Sequence, residues 1–432
     1  MDLTGAWLRS QKALDTLSPA PLFPASPTPD RTTGVSVSAR SAGSLPNPLV
    51  ETASPVVALP SPLIKEGKSA RERSEGWGQG GSCAALDLGT NNCRLMVASR
   101  TEGGFRVLDS YSRIVRLGEG LQRTGELNAA AMNRTLEALH TCVGRLGRHR
   151  PIRLRAVATE ACRRARNGLA FVERIRQETG FEFEIISGKE EAELAVESCS
   201  ALLFDPVWKR PVTPAREPQS EQDWGLLLDV GGGSTEIAWM QLDQATRKHT
   251  LAGYISLPIG VITLAEQFPH RRPGTYRAMV EMVRESLEAF EETHQICRYI
   301  AEDRVRVVGT SGTVTTLASL DLDLPRYIRQ AVDGYRLQPD SARRAIGRLH
   351  RMGMDGMRVH PCIGSERATY VMPGCAIFEA FLSLWSSSVV VADRGLRDGL
   401  LLRMMREEKN GLHAGRTWPH VPRSDGRQAT PD

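Results

Sequence analysis

Twice in this chain an apolar run ends in Asp-x-Gly and a second apolar run follows at once. The first case is Asp87-Leu-Gly89 and the second is Asp229-Val-Gly231, about 140 residues further on. Each reads as a strand, a glycine turn and a returning strand, which is a supersecondary unit. A unit repeated at that interval predicts two related α/β domains facing each other across a cleft. The 432 residues leave room for both.

The second turn, Asp229-Val-Gly-Gly-Gly-Ser-Thr-Glu236, carries the most chemistry. Gly231, Gly232 and Gly233 cost backbone entropy, and they let the chain pass close to a ligand. Successive N–H groups turned to one point form a nest for phosphate oxygens. Ser234 and Thr235 add hydroxyls. Asp229 and Glu236 add carboxylates of the kind Mg²⁺ accepts alongside water. A tight hairpin with solvent-facing acids would use the same residues. In the first turn, Gly89 allows close approach, Thr90, Asn91 and Asn92 offer donors, and Arg94 offers a cation. Two such loops face to face can clamp an anionic chain.

Between the loops, residues 105–111 and 112–117 read as strands and 128–147 as a helix. Residues 153–158 read as a strand, 169–179 as a helix and 181–186 as a strand. A helix follows from 190 to about 203, then a polar loop at 209–223. After the second loop, 276–299 is a long helix and 304–309 a strand. Residues 341–351 and 374–385 are helices, 389–392 a strand and 395–406 the last helix. Residues 1–80 differ from the rest. Ten of the 25 prolines fall between Pro19 and Pro62, among Ser, Thr and Ala. Such a stretch is expected to be disordered or a mis-assigned start, and the polar tail at 411–432 is expected to be disordered.

Ser187-Gly-Lys-Glu190 has capping-box spacing, which predicts that Glu190 reaches back to the Ser187 N–H. Glu191 is then left in the first turn, where the helix dipole favours its ionised form and suits it to activate water. Both glutamates could equally be helix-start acids. Ten arginines crowd residues 145–176 against Glu160 and Glu173, and they read as a solvated basic face able to guide a polyanion. Arg163 stands apart because it follows a strand, and a guanidinium binds phosphate in two-pronged fashion. Val308-Gly-Thr-Ser-Gly-Thr313 is a further glycine turn before a helix. Asp393, Arg394 and Arg397 read as structural.

Several classes drop out. No Rossmann or P-loop glycine pattern occurs, no G-x-S-x-G, no His pair at ligand spacing and no C-x-x-C. Lys and Arg exceed Asp and Glu by 55 − 50 = 5, which calls for no nucleic acid. No stretch matches a membrane span or a signal peptide, so eight scattered cysteines predict reduced thiols in the cytoplasm.

Together these motifs resemble the exopolyphosphatase / guanosine pentaphosphate phosphohydrolase (Ppx/GppA phosphatase) family of the actin-like ATPase, sugar kinase and Hsp70 superfamily. Asp87-Leu-Gly-Thr-Asn, Ile185-Ile-Ser-Gly-Lys-Glu-Glu-Ala, Asp229-Val-Gly-Gly-Gly-Ser-Thr-Glu, Gly309-Thr-Ser-Gly-Thr and Ala392-Asp-Arg-Gly-Leu-Arg-Asp-Gly stand in the family's order. The resemblance implies an α/β chain of two ribonuclease-H-like domains, at 81–192 and 193–410, with the last helix able to pack back on the first. It implies Mg²⁺-dependent hydrolysis of a terminal phosphoanhydride and raises homodimerisation. Glu191 takes the catalytic role; Gly89, Thr90, Asn91, Arg163 and Gly231–Ser234 bind phosphate; Asp229 and Glu236 stand on the metal side. Asn92 replaces the more usual Ser. The chain ends soon after residues 403–408, so the extra helical domains of long members, and high processivity, are not expected. The expected substrate is polyphosphate or guanosine pentaphosphate. The alternatives are a non-catalytic sensor of polyphosphate or guanosine tetraphosphate, and an ATP-using kinase.

Overall fold

The computed structural model describes residues 81–101, 104–149, 151–205, 223–269 and 272–409. The sequence-based readings of the 1–80 leader, the 411–432 tail and most of the 209–223 loop lie outside the described residues.

The first sheet comes from β1 (Ser82–Leu88), β2 (Asn92–Thr101), β3 (Gly104–Ile114), β4 (Arg153–Ala158) and β5 (Phe183–Ile185), in the order β3-β2-β1-β4-β5. The first three strands are antiparallel, whereas β4 and β5 run parallel to β1. The helices of this part are α1 (Leu121–Thr124), α2 (Ala129–His149), α3 (Glu160–Arg164), α4 (Gly168–Thr179) and α5 (Gly188–Leu203).

The second sheet follows the same plan. Its hairpins are β6 (Asp223–Val230), β7 (Thr235–Asp243) and β8 (Lys248–Leu257). After α6 (Val261–Gln267), α7 (Thr275–His294) and α8 (Ile296–Ala301), β9 (Val305–Thr310) adds parallel to β6. Then come α9 (Gly312–Asp321), α10 (Arg329–Val332), β10 (Arg336–Leu337), α11 (Pro339–Val359), α12 (Ser365–Leu384), β11 (Val389–Ala392) and α13 (Leu396–Lys409). The sheet order is β10-β11-β9-β6-β7-β8.

The central strands are apolar because helices cover both of their faces. In β1 every residue from Cys83 to Leu88 is buried. The two halves exchange helices. Helix α5 leaves the first sheet yet buries Ala192, Ala195, Val196 and Cys199 against Leu227, Ala238 and Val308 of the second. Helix α13 leaves the second sheet yet buries Leu400, Leu401, Met404 and Met405 against Cys83, Ala85 and Met96 of the first. The helices meet closely: a methyl group on Gly399 would stand 2.1 Å from the Leu194 carbonyl oxygen.

Some local expectations change. Residues 104–114 form one strand, not two. The predicted 276–299 helix is two helices, broken where Gln295 turns left-handed at φ 52°. Helix α11 runs on past 351 and kinks at Gly353.

Candidate functional site

Both glycine turns end the first strand of their sheet on the same cleft. In the first turn, the Gly89 N–H donates to the Asn92 carbonyl at 2.9 Å. The Asn91 carbonyl accepts from Val115 and Arg116, and the Thr90 carbonyl from Gly118. In the second turn, Gly231 N–H donates to Ser234 O at 2.9 Å. Val261 and Ile262, at the start of α6, donate to the Gly231 and Gly232 carbonyls at 3.0 and 2.8 Å. The Thr90, Asn91, Gly231 and Gly232 carbonyls are thus taken. The N–H groups of Thr90, Asn91, Gly232 and Gly233 have no protein acceptor among the described residues. Backbone donors left over in a concave wall are the ingredients of an anion nest.

Close packing explains the glycines. A methyl on Gly233 would lie 2.3 Å from Thr90 Oγ1, so the loops touch here and admit no side chain. A methyl on Gly260 would lie 2.4 Å from the Gly232 carbonyl carbon and 2.6 Å from Gly233 N. Gly260 therefore seats α6 directly behind the second loop. No sequence motif marked it, because its role depends on a contact 28 positions away along the chain.

The cleft has a volume of about 880 Å³. Gly89, Thr90, Asn91, Glu191, Asp229 and Gly231–Ser234, all named from the sequence, line it together. Asp87 lines it as well. Arg163 and Glu236 do not; they stand behind the wall. Glu236 is 1% exposed and sits opposite Asp229 across the β6–β7 hairpin, where Ser256 Oγ donates to it at 2.9 Å.

The carboxyl groups are crowded. Burial pushes the Glu191 carboxyl up to about 8, Arg163 pulls it back, and Asp229 and Asp87 push it further. Burial likewise pushes Asp229 up to about 6, against the pull of Arg94. Burial raises Asp87, and it raises Glu236 well above its ordinary range. The helix start therefore does not keep Glu191 readily ionised: desolvation outweighs the dipole. Glu190 also departs from expectation. Ser187 Oγ accepts from the Glu190 N–H at 3.2 Å, but the Glu190 carboxylate turns to Arg155 at 2.7 Å instead of reaching back.

Magnesium has a fitting but incomplete donor set here. Among the described residues no three His, Cys, Asp or Glu side chains converge on one point. Asp87 and Asp229 do line the cleft, and Asn91 Oδ1 is a buried acceptor with no partner among the described residues. One or two carboxylates with water and substrate phosphate is the usual coordination for this ion.

The walls carry Arg94, Arg113, Arg329, Arg367, Arg394 and Arg397. Arg94 makes no ion pair among the described residues, whereas Arg113 pairs with Glu137 at 2.8 Å. Arg394 and Arg397, read from the sequence as structural, do make such contacts, to Asp333 and to the Leu95 carbonyl, and they line the cleft too. Five arginines of the basic stretch at 145–176 pair with acids from outside it. Arg145 pairs with Asp109, Arg153 with Glu407, Arg155 with Glu184, Arg166 with Glu126, and Arg174 with Glu178. The cations that face the cleft come from β2, β3 and the second half of the chain. Among the described residues no helix is long and apolar enough to cross a membrane, and none of the eight cysteines forms a disulfide.

A model of the Ppx/GppA phosphatase family matches residues 96–205 and 213–408. The crystal structure of the Aquifex aeolicus member of the Ppx/GppA protein family is 25% identical, with a TM-score of 0.59. The match covers 76% of this chain and 98% of that one. An exopolyphosphatase-like protein is 26% identical with a TM-score of 0.63, covering 76% of this chain and 99% of its own. An exopolyphosphatase from Cytophaga hutchinsonii shares the fold at 22% identity, with a TM-score of 0.64 and coverage of 78% and 100%.

Proposed function

The chain belongs to the Ppx/GppA phosphatase family, and from that footing we propose that it removes the terminal phosphate of a linear polyanion: inorganic polyphosphate, guanosine pentaphosphate at its 5′ end, or both. One observation carries this reading. Two loops whose Thr90, Asn91, Gly232 and Gly233 N–H groups have no protein acceptor among the described residues share a cleft with Glu191. Donors for phosphoryl oxygens and a base for water then lie on one wall.

Thr90, Asn91, Gly232 and Gly233 hold the terminal phosphoryl oxygens through their N–H groups. Arg94 and the wall arginines hold the rest of the chain. Glu191 takes a proton from water as the water oxygen bonds to the terminal phosphorus. The bridging P–O bond breaks, and the shortened chain leaves with that electron pair. Asp229 and Asp87, with Asn91 Oδ1, would hold Mg²⁺; Glu236, proposed from the sequence for this role, lies behind them. When bound, the ion supplies positive charge beside the phosphoryl group, whose transfer depends on positioning and electrostatics. A base whose proton affinity is raised toward the working pH suits this step.

The test is phosphate release with Mg²⁺ from long-chain polyphosphate and from guanosine pentaphosphate, with product lengths followed in time. Chains that shorten one phosphate at a time support the proposal. Mid-chain fragments, or no release from either compound, contradict it.

A further inference from the structure

Arg163 is held in an unexpected way for an arginine beside two phosphate loops. Its Nε and Nη2 donate to Glu160 Oε2 at 3.2 and 2.7 Å. Its Nη1 donates to the Ile186 carbonyl at 2.7 Å and to Glu191 Oε2 at 3.2 Å. One edge of the guanidinium is thus filled by Glu160, and the remaining nitrogen is turned to the base. The three side chains are only 12, 23 and 13% exposed for Glu160, Arg163 and Glu191. This is not a screened surface pair of the sort that contributes little. Glu160 is also wedged under the second loop: a methyl on Gly233 would lie 3.1 Å from its Cγ.

We propose that Glu160 is a positioning residue for phosphoanhydride hydrolysis: it anchors Arg163 by one edge, so that the guanidinium orients Glu191 and stays off the bound phosphate. A guanidinium left free at this place would turn its fork to phosphate oxygens, the partner its geometry fits best. Anchored, it holds the Glu191 carboxylate in place and ties it to the Ile186 carbonyl at the entry of α5. Glu160 does not line the cleft, so its hydrogen bonds reach the base only by way of Arg163.

The inference rests on the hydrolytic reading above. Its test is a double-mutant cycle of Glu160→Ala and Arg163→Ala, with kcat and KM measured separately on the better polyanion. Glu160→Ala is expected to lower kcat on the order of tenfold to a hundredfold. KM is expected to stay level or fall, because the released Arg163 reaches phosphate. Glu160→Gln, which keeps an acceptor oxygen, is expected to recover much of kcat but remain a few fold below wild type. In the Arg163→Ala background either change at 160 is expected to cost less than about twofold more, since the guanidinium it anchors is gone. Thermal melts accompany each variant. If Glu160→Ala lacks a cooperative melt, Glu160→Gln takes its place in the cycle. Additive losses, or a raised KM with kcat intact, overturn the inference while the hydrolytic reading stands. A wild type that releases no phosphate from either polyanion overturns both.

Discussion

Replacing Gly260 with alanine drives a methyl group into the backbone of the second phosphate loop. Gly260 has φ −120° and ψ −178°, an extended conformation open to any residue, so the substitution carries no backbone strain. The cost is contact alone. The new carbon would stand 2.4, 2.5 and 2.6 Å from the Gly232 carbon, its oxygen and Gly233 N. Ordinary separations are about 3.5 Å or more. Backbone cannot rotate aside as a side chain can, so loop and α6 must part by about 1 Å. Two backbone hydrogen bonds join them, from Val261 and Ile262, and each contributes about 1 kcal/mol. Overpacking of this kind costs about 1–3 kcal/mol. A shift of about 1 Å at a phosphate-holding loop lowers kcat/KM by about a hundredfold. Phosphate release and a thermal melt measure the two effects. Gly144→Ala is the control: an added methyl there meets nothing within 4 Å, in the exposed face of α2. It should stabilise by about 0.5–1 kcal/mol and leave activity unchanged. A Gly260→Ala enzyme within twofold of wild type in kcat/KM refutes the reasoning.

Four further outcomes follow from the same contacts. Glu191 and Asp229 are pushed up to about 8 and about 6, so the native state holds protons that the unfolded chain gives up lower down. Their stabilising contribution is complete below about pH 4 and is lost as pH rises through those two values. Melting temperature should fall between about pH 5 and 9, and Glu191→Gln should flatten that fall; an unchanged slope refutes it. Conversely, kcat/KM should rise with pH toward about 8, as Glu191 becomes able to accept a proton. Gly399→Ala should destabilise by about 1–3 kcal/mol, read from the melt, since its methyl meets the Leu194 carbonyl oxygen at 2.1 Å and parts α13 from α5. Arg94→Ala should raise KM and weaken its dependence on salt, since a cleft cation with no ion pair among the described residues is lost; identical salt curves would contradict this.

Much of the site was legible because its loops are built from local chemistry. Asp87-Leu-Gly89 and Asp229-Val-Gly231 mark strand ends by composition, and Gly232 and Gly233 mark a close approach. Glu191 was set apart by the family resemblance, since by position alone both Glu190 and Glu191 could be helix-start acids. What escaped depends on residues distant in sequence. Gly260 matters through Gly232. The basic stretch at 145–176 appeared unopposed because its partners, Asp109, Glu126, Glu184 and Glu407, lie outside it or across the fold. Arg163 appeared free for phosphate because nothing in the sequence says that Glu160, one turn earlier, fills its edge. The dipole argument for Glu191 failed for a related reason: the burial that outweighs it is contributed by several elements. Either helix's apolar face would suit either sheet, so periodicity alone did not place α5 or α13; the packing of the last helix on the first sheet was expected only from the family resemblance.

The most direct measurement compares wild type and Glu191→Gln for turnover and for binding of the same polyphosphate. The account predicts steady phosphate release by the wild type. In the variant it predicts loss of release by several orders of magnitude, with polyphosphate affinity within a few fold, since the loops and arginines that hold the chain are untouched. A variant that still turns over near the wild-type rate, or one that loses binding along with release, would contradict the assignment of Glu191 as the base beside a separately built phosphate cradle.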